Sequence, residues 1–467
     1  MASTPIGIGL IGCGTVGAGV VKLLREQSDV YAQRLGRPLE VRRILVRNRH
    51  AKRDPAIDPA LLTDALDELL ADRKIEIIVE VAGGVEPARG YLMRAIESGR
   101  HVVTANKALL AAHGGELFAL ARKHKVAIAF EASCGGTIPM LAALKFGLAA
   151  NRIDALYGIL NGTCNYILTQ MSEAGWSYAQ ALQDAQEQGY AEADPTLDVT
   201  GADAAQKLAI VASLAFSAAV RAQDVTASGI DTLQAEDIAF GRELGYVVKL
   251  LAIGERRGSK VQGAKSTVKD PDPGRAGDLG PGSLDIGPGL LLRVQPCFVH
   301  ADEPLAQVRG AFNALSVFGN ACGHVMLYGR GAGQMPTASA VVGDILNIAG
   351  GWYPQAFANL RIWPDQQPAA VAADPAETLT RYYLRITAKD QPGVIAQISK
   401  VLGDQNISIS AMVQHESGEG ADGFVPLVIT THRTREGDVA RAAQAISRLE
   451  VARGRPMCIR IVDLPGD

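Results

Sequence analysis

Two groups of residues in this chain could do chemistry, and they lie far apart in the sequence. The first is Gly12, Gly14 and Gly17 in GLIGCGTVG, a G-x-G-x-x-G spacing. Gly12 permits a tight turn, Gly14 lets the backbone approach a pyrophosphate, and Gly17 lets a helix pack closely on a sheet. The N–H groups that open the following helix, at Thr15, Val16 and Gly17, are then free to face a phosphate. The second group is Glu192, Asp198, Asp203 and Lys207. Asp203 and Lys207 are spaced i,i+4, so on a helix they share one face. That helix continues LAIVASLAF and is largely buried, and a buried lysine needs a partner. Acids that hold an ammonium, beside an amine that can give a proton, suit an amino-acid substrate. Together the two groups point to a nicotinamide-dependent enzyme acting on an amino acid.

The elements that must position them follow from hydrophobic pattern. Over residues 1–150, short apolar strands at Pro5–Ile11, Leu39–Arg47, Ile75–Ala82, His101–Thr104 and Val126–Ala132 alternate with helices. The helices are read at Val16–Glu26, Pro87–Ser98 and Glu116–His124. Near-continuous apolar strands alternating with helices predict a Rossmann-type, doubly wound parallel sheet. The glycine turn stands after the first strand and opens a helix, the context a dinucleotide fingerprint requires. The second strand ends ILVRNRH, with Arg47 and Arg49 where an NAD enzyme usually places an acid. A guanidinium suits a 2′-phosphate, so NADP(H) is the preferred cofactor, with NAD(H) left open. Thr104 ends the fourth strand and Lys107 follows it at its carboxyl end, where ligands of open α/β sheets bind.

Over 151–335 the pattern becomes that of an α+β substrate and dimerisation unit. Strand Ile153–Leu160 leads into helical sequence through Phe216 and again over Glu236–Ile253. Strands are read at Leu290–Val299, Ala311–Val317 and Val325–Tyr328. Helix Pro336–Ala349 is expected to pack back on the first domain. Residues 254–289, rich in Gly, Pro and charge, read as an extended loop, and 354–378 as an interdomain linker. The last part, 379–467, runs strand, helix, strand, strand, helix, strand, which is a ferredoxin-like order.

Composition excludes other classes. The chain has 467 residues, enough for two or three domains, and a net charge of −3 that gives no argument for nucleic acid or an acidic membrane. No apolar run is long enough to span a bilayer, and no secretory leader is evident. Six scattered cysteines without a CxxC pair indicate neither zinc nor a disulfide framework, and the simplest setting is a reducing cytoplasm. The eight histidines show no metal-binding spacing.

Several segments, GLIGCGTVG, TANKALL, EASCGGTIP, LNGTCNYIL, GYAEADPTLDVTGADAAQKL and YGRGAGQMPTASAVVGD, resemble homoserine dehydrogenases in the same order, over about residues 5–350. That resemblance implies the interconversion of L-aspartate 4-semialdehyde and L-homoserine. It implies that Lys207 is the proton donor and that Lys107 stands near both nicotinamide and substrate. Glu192 and Asp203 resemble the ligands of the substrate amino group. Asp198 matches a further acid of that site, and Asn161, Gly162 and Thr163 shape the pocket floor. Gly331 and Gly333 resemble a close approach to the nicotinamide half. The loop with Glu131, Cys134, Gly136 and Ile138 resembles a monovalent-cation site, commonly for sodium, built from backbone carbonyls. Asp390-Gln391-Pro392-Gly393-Val394-Ile395, with Ile398 and Asn406-Ile407, resembles the opening of an ACT domain. This implies feedback control, usually by L-threonine, and a homodimer or homotetramer. A tail of this kind, joined through a linker, is expected to be removable beyond about residue 375 with activity kept.

Overall fold

The computed structural model of the chain describes residues 4–257, 289–415 and 423–465. Most of the 254–289 loop reading lies outside the described residues. Its flanks, Gly254–Arg257 and Gly289, belong to strands.

The first sheet is six-stranded and parallel. Its order across the sheet is Leu62–Thr63, Leu39–Leu45, Ile6–Ile11, Ile75–Glu80, His101–Thr104 and Ile128–Ala129. This is the doubly wound order, with the first strand central and the chain reversing direction beside it. The burial of every residue of Ile6–Ile11 explains why that strand reads as one apolar run. The strand expected over Val126–Ala132 pairs only at Ile128–Ala129. From Glu131 the backbone turns into a single 3₁₀ turn. The helix after strand His101–Thr104 runs Lys107–Lys123, much longer than the expected Glu116–His124. Gly114 and Gly115 lower its intrinsic propensity, but packing overrides that.

The second sheet has eleven strands among the described residues. Nine follow one path: Gly323–Arg330, Phe312–Gly319, Ile153–Ile159, Tyr246–Arg257, Gly289–His300, Ala452–Val462, Leu379–Lys389, Phe424–Thr431 and Ile409–Val413. The expected helix Glu236–Ile253 is therefore half wrong. Ala235–Glu243 is helical, Gly245 turns at φ +84°, and Tyr246–Arg257 becomes a central strand. A continuous apolar run reads equally as buried helix or buried strand, and only its neighbours on both sides decide it.

The ferredoxin-like order at the C-terminus is present: Leu379–Lys389, helix Val394–Asp404, Ile409–Val413, Phe424–Thr431, helix Glu436–Ile446 and Ala452–Val462. Its last strand pairs in parallel with Gly289–His300, through Cys297 and Arg460, Phe298 and Ile461, and Val299 and Val462. The two units thus share one sheet. The stretch read as a linker is no free tether. It holds a helix at Trp352–Asn359 and a fully buried Trp363 packed among Phe118, Phe130, Tyr353 and Phe357. Arg122 holds Asp365 by donating from Nε and Nη2. Helix Gln334–Ala349 packs on helix Thr15–Glu26 of the first sheet's domain.

Candidate active site

The glycine turn has the build its spacing predicts. Gly12 has φ +96°, and a Cβ there would lie 2.6 Å from Ala82 N. A Cβ on Gly17 would lie 2.6 Å from Gly12 O, whereas one on Gly14 would meet nothing within 4 Å. Two glycines therefore serve the fold, and the third faces open space in front of the helix start. Gly14 caps helix Thr15–Glu26 with no side-chain hydrogen bond, leaving its first N–H groups for an anion. Gln334 reaches over this turn, its Nε2 donating to Thr15 O at 2.9 Å. Arg47 and Arg49 stand exposed just past the second strand, and neither makes an ion pair among the described residues.

The acidic cluster is assembled from four places in the chain. Strand Ile153–Ile159 ends at Leu160, and Asn161 caps helix Gly162–Glu173 by accepting from Cys164 N at 2.8 Å. The Asn161 amide donates to Asp198 Oδ1 at 2.7 Å and to Asp203 Oδ2 at 2.9 Å. Asp203, at the start of helix Ala202–Phe216, receives Lys207 Nζ on Oδ2 at 2.8 Å. Lys107 Nζ, from the first domain, lies 3.1 Å from Oδ1 of the same carboxylate. The second contact of Lys207 is to Leu160 O at 2.8 Å. Each lysine thus comes from a different domain, and Asp203 is their meeting point across the cleft.

Electrostatics follow from this arrangement. Burial would raise the Asp203 carboxyl, but the Lys207 and Lys107 ammoniums override it and hold its pKa at about 2. Burial would lower Lys207, but Asp203 more than offsets that, and its pKa stands above the usual lysine value. Asp198 is raised, by burial first and by Asp203 beside it, against the Asn161 hydrogen bond. Cys134 is pushed up to about 12 by burial, which excludes a thiolate nucleophile.

The other sequence candidates are placed as follows. Glu192 is exposed, and its carboxylate makes no hydrogen bond or ion pair among the described residues. Thr163 donates to Tyr190 O at 2.7 Å, tying the segment that carries Glu192 to the helix start. A Cβ on Gly162 would lie 2.8 Å from Ala311 O, and one on Gly331 would lie 2.1 Å from the Asn313 side chain. Gly333, at φ +117°, precedes helix Gln334–Ala349. Thr104 is fully buried, and its hydroxyl donates to Glu80. Around the 131–138 loop, Gly136 sits at φ +56° with its Cβ position 2.6 Å from the Gly331 backbone. The carbonyls of Glu131 and Ile138 accept from Cys134 N and Met140 N. Those of Cys134 and Gly136 accept no hydrogen bond among the described residues.

Sequence reasoning missed the Leu160 carbonyl, and it missed Glu80 and Lys145. Lys145 is buried against Glu131 at 3.8 Å and lies over the rings of Phe130, Phe146, Tyr353 and Trp363. An acid closing a strand straight after the apolar run Ile77–Val79 was the available signal for Glu80. Lys145 lies in a short π-helical turn that leaves no periodic signal.

Comparison with known proteins decides the family. Residues 139–346 match the homoserine dehydrogenase family, residues 12–131 the homoserine dehydrogenase NAD binding domain, and residues 382–451 the ACT domain. A homoserine dehydrogenase of Synechocystis sp. is 39% identical, covering 97% of this chain and 99% of that protein. One of Bacillus subtilis is 37% identical, covering 96% of each. The chain belongs to the homoserine dehydrogenase family. The crystal structure of a homoserine dehydrogenase from Thiobacillus denitrificans superposes with a TM-score of 0.85 at 39% identity, covering 99% of both chains. A hyperthermophilic archaeal homoserine dehydrogenase in complex with NADPH gives a TM-score of 0.56 at 25% identity, covering 73% of this chain and 97% of that one. As a homoserine dehydrogenase, the protein is an oxidoreductase acting on a CH–OH group. L-homoserine and L-aspartate 4-semialdehyde are the substrates the family implies. Among the described residues no helix is long and apolar enough to cross a membrane.

Proposed function

We propose that Lys207 exchanges the proton and that Asp203 organises the site around both lysines. The observation that carries this reading is the convergence of Lys107 and Lys207 on one buried carboxylate. A reduced nicotinamide, when bound, supplies the hydride. The aldehyde oxygen then gains negative charge and needs a donor at hand. Lys207 has two of its three N–H bonds engaged, by Asp203 and Leu160 O, which leaves one for that oxygen. Lys107 orients the same oxygen from the opposite wall. The substrate ammonium is taken by Glu192 and by the remaining acceptor position of Asp203. Asp198, with Oδ2 unengaged among the described residues, positions a water or the amine. Asn161, Gly162 and Thr163 form the floor beneath it.

We infer a preference for NADP(H), with NAD(H) accepted more weakly. Support comes from the exposed Arg47 and from a relative solved with NADPH. Gly12, Gly14, Thr15, Val16 and Gly17 hold the pyrophosphate in this reading, with Thr104, Gly331 and Gly333 lining the nicotinamide end. A monovalent cation such as sodium fits the carbonyls of the 131–138 loop, since the two unengaged oxygens there are hard ligands. The ACT domain is proposed to bind L-threonine. A cavity of about 330 Å³ stands beside the Asp390–Pro392 turn, lined also by Val394, Ile395 and Gln414. A homodimer or homotetramer in the cytoplasm completes the proposal, and six unpaired thiols suit a reducing compartment.

One assay tests the coenzyme and effector readings: L-homoserine oxidation with NADP⁺ against NAD⁺, with and without L-threonine. Faster turnover with NADP⁺, inhibited by L-threonine, is expected. Equal kcat/KM for the two coenzymes removes the Arg47 argument, and indifference to L-threonine removes the effector.

A further inference from the structure

Glu80 ends strand Ile75–Glu80 and is fully buried. It takes no part in the chemistry above and forms no ion pair among the described residues. A buried carboxylate without a cation is costly unless donors satisfy it. Here Oε1 accepts from Ala82 N at 2.9 Å and Gly83 N at 3.1 Å, and Oε2 accepts from the Thr104 hydroxyl at 2.7 Å. The Thr104 oxygen in turn accepts from Asn106 N at 3.0 Å. Asn106 Nδ2 donates to Gly84 O at 2.6 Å, which returns the path to the loop that Glu80 holds. Asn106 Oδ1 accepts from Leu109 N at 3.1 Å and so caps helix Lys107–Lys123. The first residue of that helix is Lys107. The held loop needs holding, because Gly83 and Gly84 both sit at φ +75°. It also borders the glycine turn, where a Cβ on Gly12 would strike Ala82.

We propose that Glu80 is a positioning residue for Lys107, acting through Thr104 and Asn106. The inference rests on Lys107 standing at the substrate oxygen, as proposed above. Only a carboxylate can accept at both ends at once. A glutamine of the same volume keeps one accepting oxygen and turns an NH₂ toward the other partner. Either the Ala82 and Gly83 amides face a donor, or the Thr104 hydroxyl proton loses its acceptor. The polarity of the ring then breaks, the cap loosens, and the Lys107 ammonium leaves its place 3.1 Å from Asp203.

The test is a double-mutant cycle on the full-length enzyme, read by homoserine oxidation. Glu80→Gln is expected to lower kcat by about 10- to 100-fold with KM for NADP⁺ changed less than about twofold. In a Lys107→Ala background the same change should cost less than about twofold, because its target is gone. Multiplicative losses in the double variant overturn the proposal, as does a loss carried by KM for the coenzyme alone. Wild-type turnover in Lys107→Ala alone sinks the underlying reading instead, and that single variant tells the two failures apart. If Glu80→Gln does not fold, Thr104→Val takes its place. It should reproduce the kcat loss with KM for NADP⁺ changed less than about twofold, and wild-type kcat, or a loss carried by KM for the coenzyme alone, overturns the proposal.

Discussion

Asp203 is the residue on which the site depends, since both lysines and Asn161 meet it. In the proposed mechanism Lys207→Ala lowers kcat by about 10²- to 10⁴-fold, the usual range for a lost acid–base group. Near-normal turnover in that variant would move the role to Lys107. The raised pKa of Lys207 sets the pH dependence. Aldehyde reduction needs the ammonium and should hold through neutral pH, falling only when the medium passes the usual lysine range. Homoserine oxidation needs the free amine and should climb with pH over the same range. Steady-state profiles in both directions check this. For folding, the sign for Asp203 is that of a depressed acid. Its stabilisation is complete above its ordinary value of 3.8 and is lost as pH falls toward about 2. Asp344 behaves oppositely, because burial raises its pKa to about 7, against the attraction of Lys145. The folded state holds that proton more tightly, so stability should decline as pH rises from about 4 to 7. Its Oδ2 accepts from Glu131 N at 2.8 Å, a bond an amide oxygen can keep. Asp344→Asn should therefore fold and flatten this part of the curve, measurable by thermal melts across pH.

At the scale of elements, the glycine turn separates fold from binding. Gly14→Ala finds open space, so the melting temperature should stay within about a degree while coenzyme affinity drops by about tenfold. Gly17→Ala puts a methyl 2.6 Å from Gly12 O and should destabilise the domain itself. Coenzyme titration and melts on both variants distinguish the two roles, and equal loss of stability in both would refute the distinction. The same scale shows where pattern reading stops. Helix Lys107–Lys123 hid behind Gly114 and Gly115, although Asn106 is a recognisable cap before it. Strand Tyr246–Arg257 hid behind an apolar run whose lengthwise pattern fits either structure.

At the scale of the whole molecule, the shared sheet changes what the C-terminal domain can be. Removing residues after 375 leaves Gly289–His300 without the parallel strand Ala452–Val462. It also removes Arg385, which holds the fully buried Asp237 at 2.6 Å, and Tyr383, which packs on Phe298. The truncated enzyme should melt at least about 5 °C lower and self-associate through the bared edge. A truncation as stable as the intact chain would show that the seam contributes little. The same continuity would give the effector proposed at the Asp390–Pro392 turn a packed route toward the substrate domain, rather than a flexible tether.

Local signals determined much of this protein. The spacing of Gly12, Gly14 and Gly17 after an apolar strand specifies a phosphate turn, because each glycine answers a steric demand set within a few residues. The i,i+4 relation of Asp203 and Lys207 fixes their contact on one helix. Alternation of strands and helices gives the doubly wound sheet and the ferredoxin-like tail. Only the tertiary structure brought Lys107 from one domain to Asp203 of another, left Glu192 exposed, and joined two units in one sheet through Ala452–Val462. Those outcomes depend on which surfaces meet across long chain separations, and a linear pattern carries no distance between residues so far apart.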